Sequence, residues 1–179
     1  MMKDILKRLT EKFPISEIEE QRANMIFVTM PKINAVQCIS YLKQFEGFTH
    51  LVMLAAVDYI EDGIFQLTYI LHNYELHTDI GIRVQIDRKQ PVMESIHTLW
   101  AQARTYQQEL KEMFGIDFPG SPDIDEPFLL EGWQNIPPMR KDFDTLKYSQ
   151  ETFFPRPGRK HYDPQKYMKE KLYPDKEPE

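Results

Sequence analysis

One stretch of this chain leaves little freedom in how it can fold. Residues 79–87 read DIGIRVQID, in which Ile80, Ile82, Val84 and Ile86 alternate with Asp79, Gly81, Arg83, Gln85 and Asp87. Successive side chains of a strand point to opposite sides, so this period places a β-branched face against a polar one. Such a strand needs other strands beside it and an apolar layer over one face. The preceding residues supply the strands. IFQLTYIL (64–71) carries Phe65, Leu67, Tyr69 and Leu71 on one face, and a turn near Asn73-Tyr74-Glu75 joins it to the alternating stretch. Before it, HLVMLAAVDYI (50–60) is almost wholly apolar, the pattern of a strand buried on both faces. Glu61-Asp62-Gly63 is the turn between them, with Asp-Gly its stronger part.

The covering layer is legible on both sides of this meander. Ile5, Leu6, Leu9 and Phe13 form a helical stripe that Pro14 ends. NMIFVTM (24–30) is a further short strand, and Pro31 opens a helix whose face is Ile33, Val36, Ile39, Leu42 and Phe45, closed by Gly47. After Pro91 the period changes again. Val92, Ile96, Leu99, Trp100, Ala103, Tyr106, Leu110, Met113 and Phe114 recur at three and four, which predicts one long amphipathic helix or two short ones. The order α-β-α-β-β-β-α predicts an α+β fold, a mainly antiparallel sheet covered by helices, with a domain spanning residues 1–116.

Residues 117–179 differ in kind. Ten of the thirteen prolines lie at or beyond position 115, and only 164–172 hints at a helical period. Aromatic and large apolar residues nevertheless recur, among them Phe118, Phe128, Trp133, Phe143, Phe153, Phe154 and Tyr162. Disordered segments are poor in such residues because they cannot offset the entropy of ordering. A chain stiffened by proline and studded with aromatics is expected to be an extended C-terminal segment packing on partner subunits. Its charge is segregated: 115–154 carries eight acids and three bases, whereas 155–171 carries six bases and two acids.

Other function classes find little support. The formal charge of −6 opposes a general nucleic-acid binder. No apolar run approaches the roughly 18 residues that a membrane span requires, and the alternating charges of the N-terminus are unlike a secretory leader. A cytoplasmic chain is expected. The single cysteine, Cys38, cannot form an internal disulfide or by itself hold a cluster, and it sits among Val36, Ile39 and Leu42 as a buried thiol would. His72 and His77 flank a turn and are the one suggestion of a metal-dependent enzyme. Glu109 and Glu112, three apart on a helix, read as solvating carboxylates. MRKDF (139–143) and PRPGRKH (155–161) read as docking elements, since Arg140 can make forked bonds to a carboxylate and Arg156 and Arg159 suit an acidic protein surface.

WAQARTYQQELKEMFGIDFPGSPD (100–123), Trp133 and PPMRKDF (137–143) together resemble the 30-kDa subunit (C-subunit) family of NADH:quinone oxidoreductase. That family's signature runs W-x-x-A, then E-R-E-x-Y-D-x-F-G-I-x-F-x-G-H-P-D-L-R-R, then a tryptophan, then P-L-R-K-D followed by Tyr or Phe. Phe114, Gly115, Ile116, Phe118, Gly120, Pro122, Asp123, Trp133, Pro138, Arg140, Lys141, Asp142 and Phe143 fit. The departures are Gln107-Gln108-Glu109 for E-R-E, Lys111-Glu112 for Y-D, Ser121 for the histidine, and Asp125-Glu126 for the two arginines. A reversal of sign at an interface requires a partner altered to match. The resemblance therefore leans to the divergent branch found in membrane-bound NiFe hydrogenases and related ferredoxin-linked respiratory complexes.

The resemblance implies a non-catalytic structural subunit on the cytoplasmic hydrophilic arm of a membrane-bound complex. It implies no cofactor in this chain, with iron–sulfur clusters and, in the hydrogenase branch, a NiFe centre in partner subunits. Those partners would be the large (NiFe-hydrogenase-like or 49-kDa-like) subunit and the small iron–sulfur subunit, with membrane subunits touched only indirectly and no nucleic acid. The expected partner interface is Glu109, Phe114, Gly115, Trp133, Arg140, Lys141, Asp142, Phe143, Arg156 and Arg159. The 30-kDa subunit of an NADH:quinone or ferredoxin:quinone oxidoreductase is the alternative, and a small metal-dependent enzyme the second.

Overall fold

A computed structural model of the chain describes residues 2–152 together with Lys166, Met168 and Lys171. In chain order the elements are α1 (Met2–Lys12), β1 (Glu17–Arg22), β2 (Met25–Met30), α2 (Lys32–Phe45), β3 (His50–Tyr59), β4 (Ile64–Asn73), β5 (Thr78–Asp87), α3 (Ala103–Phe114) and α4 (Thr145–Thr152). The fold is α+β. One sheet runs in the order β1-β2-β5-β4-β3. β2 and β5 pair in parallel, and the other three pairings are antiparallel.

The alternating face of β5 does what its pattern requires. Ile80, Ile82, Val84 and Ile86 are buried, beside Ile26, Val28 and Met30 of β2 and Phe65, Leu67, Tyr69 and Leu71 of β4. Ile5 and Leu9 of α1, Ala35, Cys38, Ile39 and Leu42 of α2, and Ala103, Leu110 and Phe114 of α3 complete this core. On the opposite face, Phe27 lies across Gly81, where a Cβ would stand 2.2 Å from its ring. The Arg83 guanidinium sits 4.1 Å from that ring's centroid and also pairs with Glu19. Glycine at 81 is thus required by the close approach of an aromatic ring on the neighbouring strand.

Four expectations need correction. β1 is absent from the predicted order. All six of its residues are exposed, so EIEEQR carries no burial pattern, and its charges suit an edge strand that must not pair with another chain. β3 is the other edge and is not buried on both faces. Leu51, Leu54 and Asp58 are buried, whereas Val52, Met53, Val57 and Tyr59 are exposed, because the covering helices lie on one side of the sheet. Third, the helical period after Pro91 overreaches. Residues 91–93 are extended, with Met93 donating to the Asp117 carbonyl (2.9 Å) and Asp117 to that of Pro91 (2.8 Å). Turns follow, and the continuous helix is α3 alone. Fourth, the α2 face is displaced: Ile33 and Phe45 are exposed while Ala35 and Cys38 are buried with Ile39 and Leu42, because a stripe stepped by three drifts around a helix of 3.6 residues per turn.

A first compact unit comprises Met1–Phe143, so residues 117–143 stay with the sheet domain although they contain no regular element. A second comprises Asp144–Glu179. Within it, Asp144 caps α4 by accepting the backbone N–H of Lys147 at 2.9 Å. No residue of α4 is buried.

Candidate subunit interface

The C-terminus of α3 organises the motif residues. Gly115 adopts a left-handed conformation (φ 77°, ψ 23°), its N–H bonding the Lys111 carbonyl at 2.8 Å while that of Ile116 reaches Leu110. This pairing closes the helix, and glycine carries no Cβ penalty there. A Cβ would also come within 3.3 Å of Pro137. The turn sends Ile116 and Phe118 into the core, both fully buried. The chain then loops away and returns along the end of the helix, where Met139 donates its N–H to the Met113 carbonyl at 3.0 Å.

Glu112 holds the outgoing loop. Its carboxylate accepts three successive backbone N–H groups, those of Phe128 (2.9 Å), Leu129 (2.8 Å) and Leu130 (3.0 Å). Burial works against its ionisation, but these three donors outweigh that cost and hold its pKa below the usual glutamate value. Glu112 is therefore no surface-solvating carboxylate, as its spacing from Glu109 suggests. It anchors a segment without secondary structure, while Glu109 stays exposed. Lys111 makes the neighbouring tie, with Nζ at 2.7 Å from Asp117 and 2.6 Å from Asp125. The Gln108 amide adds a bond to the Asp123 carbonyl at 2.6 Å.

PPMRKDF is fastened by a second group. Asp58, at the core-facing end of β3, is 3 % exposed. Arg88 donates to it from Nε (2.8 Å) and Nη2 (3.1 Å), and the Lys141 backbone N–H donates at 2.9 Å. Arg88 Nη2 also reaches Asp142 at 2.7 Å, and Arg140 Nε approaches the same carboxylate at 3.3 Å. The Arg88 and Arg140 guanidinium carbons lie 5.7 and 5.5 Å from the Phe65 centroid, and Phe114 meets that ring edge-on. Burial opposes the Asp58 charge, yet the Arg88 bonds, the Lys141 N–H and nearby guanidinium charge depress its pKa overall. Asp142 is likewise lowered, chiefly by Arg88.

The structure thus brings together most of the residues expected at the interface. Phe114 is buried, Gly115 packs beneath Pro137 and Arg140, and the Trp133 ring lies 5.5 Å from that of Phe143. Arg140 and Asp142 are engaged within the domain, while the Lys141 side chain is exposed near Glu61. Arg156 and Arg159 lie outside the described residues. Sequence reasoning missed Asp58 and Arg88. The available signal was Asp58 itself, the one acid or base inside the apolar run 50–60 apart from His50 at its start.

The hairpin histidines form no convergent site. His72 Nδ1 lies 2.8 Å from Asp79 and its ring meets Tyr74 edge-on, while His77 sits in the turn with φ 49°. Among the described residues, no group of three or more His, Cys, Asp or Glu side chains is placed to hold a metal ion. Also among the described residues, no helix is long and apolar enough to cross a membrane. Cys38 is fully buried and its thiol pKa is pushed up to about 12 by burial, which suits a packing role.

The comparison with known proteins decides what this arrangement belongs to. The family described as "Respiratory-chain NADH dehydrogenase, 30 Kd subunit" matches residues 28–149. The chain belongs to that family. It is 30 % identical over 142 residues to the C subunit of NADH-quinone oxidoreductase from Moorella thermoacetica, covering 79 % of this chain and 95 % of that protein. It is 28 % identical, also over 142 residues, to the C subunit of F(420)H(2) dehydrogenase from Methanosarcina mazei, covering 78 % and 90 %. In three dimensions it matches a chain of the membrane-bound sulfane sulfur reductase, an archaeal respiratory membrane complex, with a TM-score of 0.82 and 25 % identity. That match covers 90 % of this chain and 96 % of the other. The anchored loop and the fastened PPMRKDF segment therefore lie within the region that defines a 30-kDa-type subunit, since the family match runs through both.

Proposed function

We propose that the chain is a non-catalytic structural subunit of the hydrophilic arm of a complex-I-like, membrane-bound oxidoreductase. The observation that carries the reading is family membership combined with a fold match over 90 % of the chain to a subunit of an archaeal respiratory membrane complex. The geometry supports the structural part. The motif residues are spent on tying residues 117–143 to the sheet domain, not on arranging groups around a substrate. α4, eight residues long, has no buried residue, and a helix of that length does not persist in water without tertiary support. The basic stretch around Arg156 and Arg159 is left to meet partners. Those partners are the large and the small iron–sulfur subunits, which hold the redox cofactors, and the complex lies on the cytoplasmic side of the membrane.

Within this class, the departures from the family signature favour a NiFe-hydrogenase-like or sulfur-linked complex. The 30 % identity to a quinone-linked relative along 95 % of its length keeps the quinone-linked reading as the second. Purification of the native complex through a tag on this chain tests both. Recovery of subunits bearing iron–sulfur clusters without flavin supports the first, with nickel marking its hydrogenase form. Clusters with flavin and no nickel support the second. A chain that purifies alone from its own membranes overturns the class.

A further inference from the structure

The segment from Pro127 to Met139 is arranged with its polarity reversed. It fixes itself to α3 through backbone N–H groups, those of Phe128, Leu129 and Leu130 on Glu112 and that of Met139 on Met113. Three of its large apolar side chains nevertheless face outward, Leu129 68 % exposed, Ile136 46 % and Met139 59 %, while Phe128, Leu130 and Trp133 are half-buried. A loop stabilising only its own domain would bury those groups and solvate its backbone. Between this segment and α3 lies a cleft of about 430 Å³. Its apolar walls include Ile124, Pro127, Leu130, Trp133 and Pro137.

The charges on the cleft decide its occupant. Glu112 is saturated by three backbone donors, and Lys111 is held by Asp117 and Asp125. Glu126 also lines the cleft, and its carboxylate has no bond or ion pair among the described residues. A trough whose apolar walls are interleaved with the amides of Gln108, Gln134 and Asn135, with an indole in its wall and a carboxylate at its rim, suits a long aliphatic stem ending in a cation. An apolar ring around a charged anchor is also the usual anatomy of a tight protein contact.

We propose that this cleft receives an arginine or lysine side chain from a partner subunit, flanked by apolar residues of the partner that cover Leu129, Ile136 and Met139. The proposal rests on the subunit reading above and names the surface through which it operates. The loop is prepared for docking because Glu112 has already ordered it, so little further ordering is needed on assembly.

The test uses the full chain in its native complex. Leu129→Asp, Ile136→Asp and Met139→Asp are combined, with Ile33→Asp, an exposed site on α2, as control. The combined variant is expected to recover at least about tenfold less partner subunit with an unchanged melting temperature, whereas Ile33→Asp recovers wild-type amounts. Glu126→Lys should lower recovery several-fold. Wild-type recovery with the combined variant overturns the proposal and leaves the subunit reading intact. Failure of the unaltered chain to recover any partner overturns the subunit reading itself. Should the combined variant melt early, a photo-cross-linker at position 129 of the otherwise native chain decides. Cross-linking to a partner peptide with Arg or Lys among apolar residues supports the proposal, and absence of any cross-link overturns it.

Discussion

Asp58 shows how one residue can tie distant parts of the chain together. It is buried at the end of β3, yet both oxygens are occupied, by Arg88 and by the Lys141 N–H. Removing Asp58 leaves Arg88 with Asp142 alone and the Lys141 N–H without its acceptor, and a buried donor left unmet costs about 1–3 kcal/mol. Asp58→Ala is therefore expected to lower the urea midpoint markedly, with fluorescence of Trp133 as a local reporter. Acid should do the same thing gradually. The folded pKa values of Asp58, Asp142 and Glu112 are all depressed. Their stabilisation is fully present above the unfolded values of about 3.9 for Asp and 4.3 for Glu, and is lost as pH falls through the lower folded values. The melting temperature should hold steady from neutral pH to about 5 and fall below about 4, and Asp58→Asn should start lower and fall less steeply. Gly81→Ala is a second test at this scale. Its Cβ would lie 2.2 Å from the Phe27 ring, so overpacking of about 1–3 kcal/mol is expected, relieved when Phe27 is shortened to Leu. Neither Asp58 nor Gly81 shows its role through periodicity. Asp58 interrupts an apolar run and Gly81 keeps step on the polar face of an alternation, and what each serves depends on a partner far away in sequence.

Among the elements, legibility follows burial. β4 and β5 each put one face in the core, and the periods of their apolar residues announce them, whereas α2 is announced as a helix but not by its face, since Ile33 and Phe45 of the expected stripe are exposed and Ala35 and Cys38 are buried instead. β1 buries nothing, so its sequence holds no such signal. β3 is recognisable as a strand but not in its depth, because apolar character records what a residue can bury against and not whether this chain supplies the cover. Part of the cover comes from α3 and the turns before it. Trp100 Nε1 donates to the Thr49 carbonyl at 2.8 Å, Gln102 to that of Leu51, and Tyr106 Oη to that of Val52 at 3.0 Å. Val52 lies where the β3–β4 register shifts, between Leu51 and Met53. Side chains from the α3 region thus occupy edge carbonyls that another strand would otherwise seek. Tyr106→Phe removes one of these bonds and should cost about 1 kcal/mol. Faster amide exchange in the first half of β3 than in β4 would mark the loss as local, and an equal increase across both strands would contradict a capping role.

At the scale of the whole molecule, the question is where the self-sufficient part ends. Composition sets that limit near residue 116, where regular periods stop and proline accumulates. The compact unit instead runs to Phe143. Periodicity cannot see the difference, because residues 117–143 are held by Glu112, Lys111, Asp58 and Arg88 through backbone and charge, with Phe118 adding buried apolar bulk at the start. This yields a sharp expectation for limited trypsin digestion of the isolated chain. Within 117–143 the cleavable positions are Arg140 and Lys141. Arg140 is packed over Phe65, and the Lys141 N–H is bonded to Asp58. A protease needs several residues extended in its cleft, so these bonds must open before cleavage, whereas Lys147 is exposed in a short helix without a fully buried residue. The first cuts should fall at Lys147 or beyond, leaving a persistent fragment that retains Arg140 and Lys141. Asp58→Ala should move the first cut back to those two residues without otherwise exposing the sheet domain, because it releases the fastened segment and leaves the Glu112 anchor in place. If wild-type chain is cut first at Arg140 or Lys141, the fastening is too weak to define the domain edge. Addition of the partner subunits should then protect Lys147 and the sites after it, since burial that α4 lacks on its own would be supplied by the assembled complex.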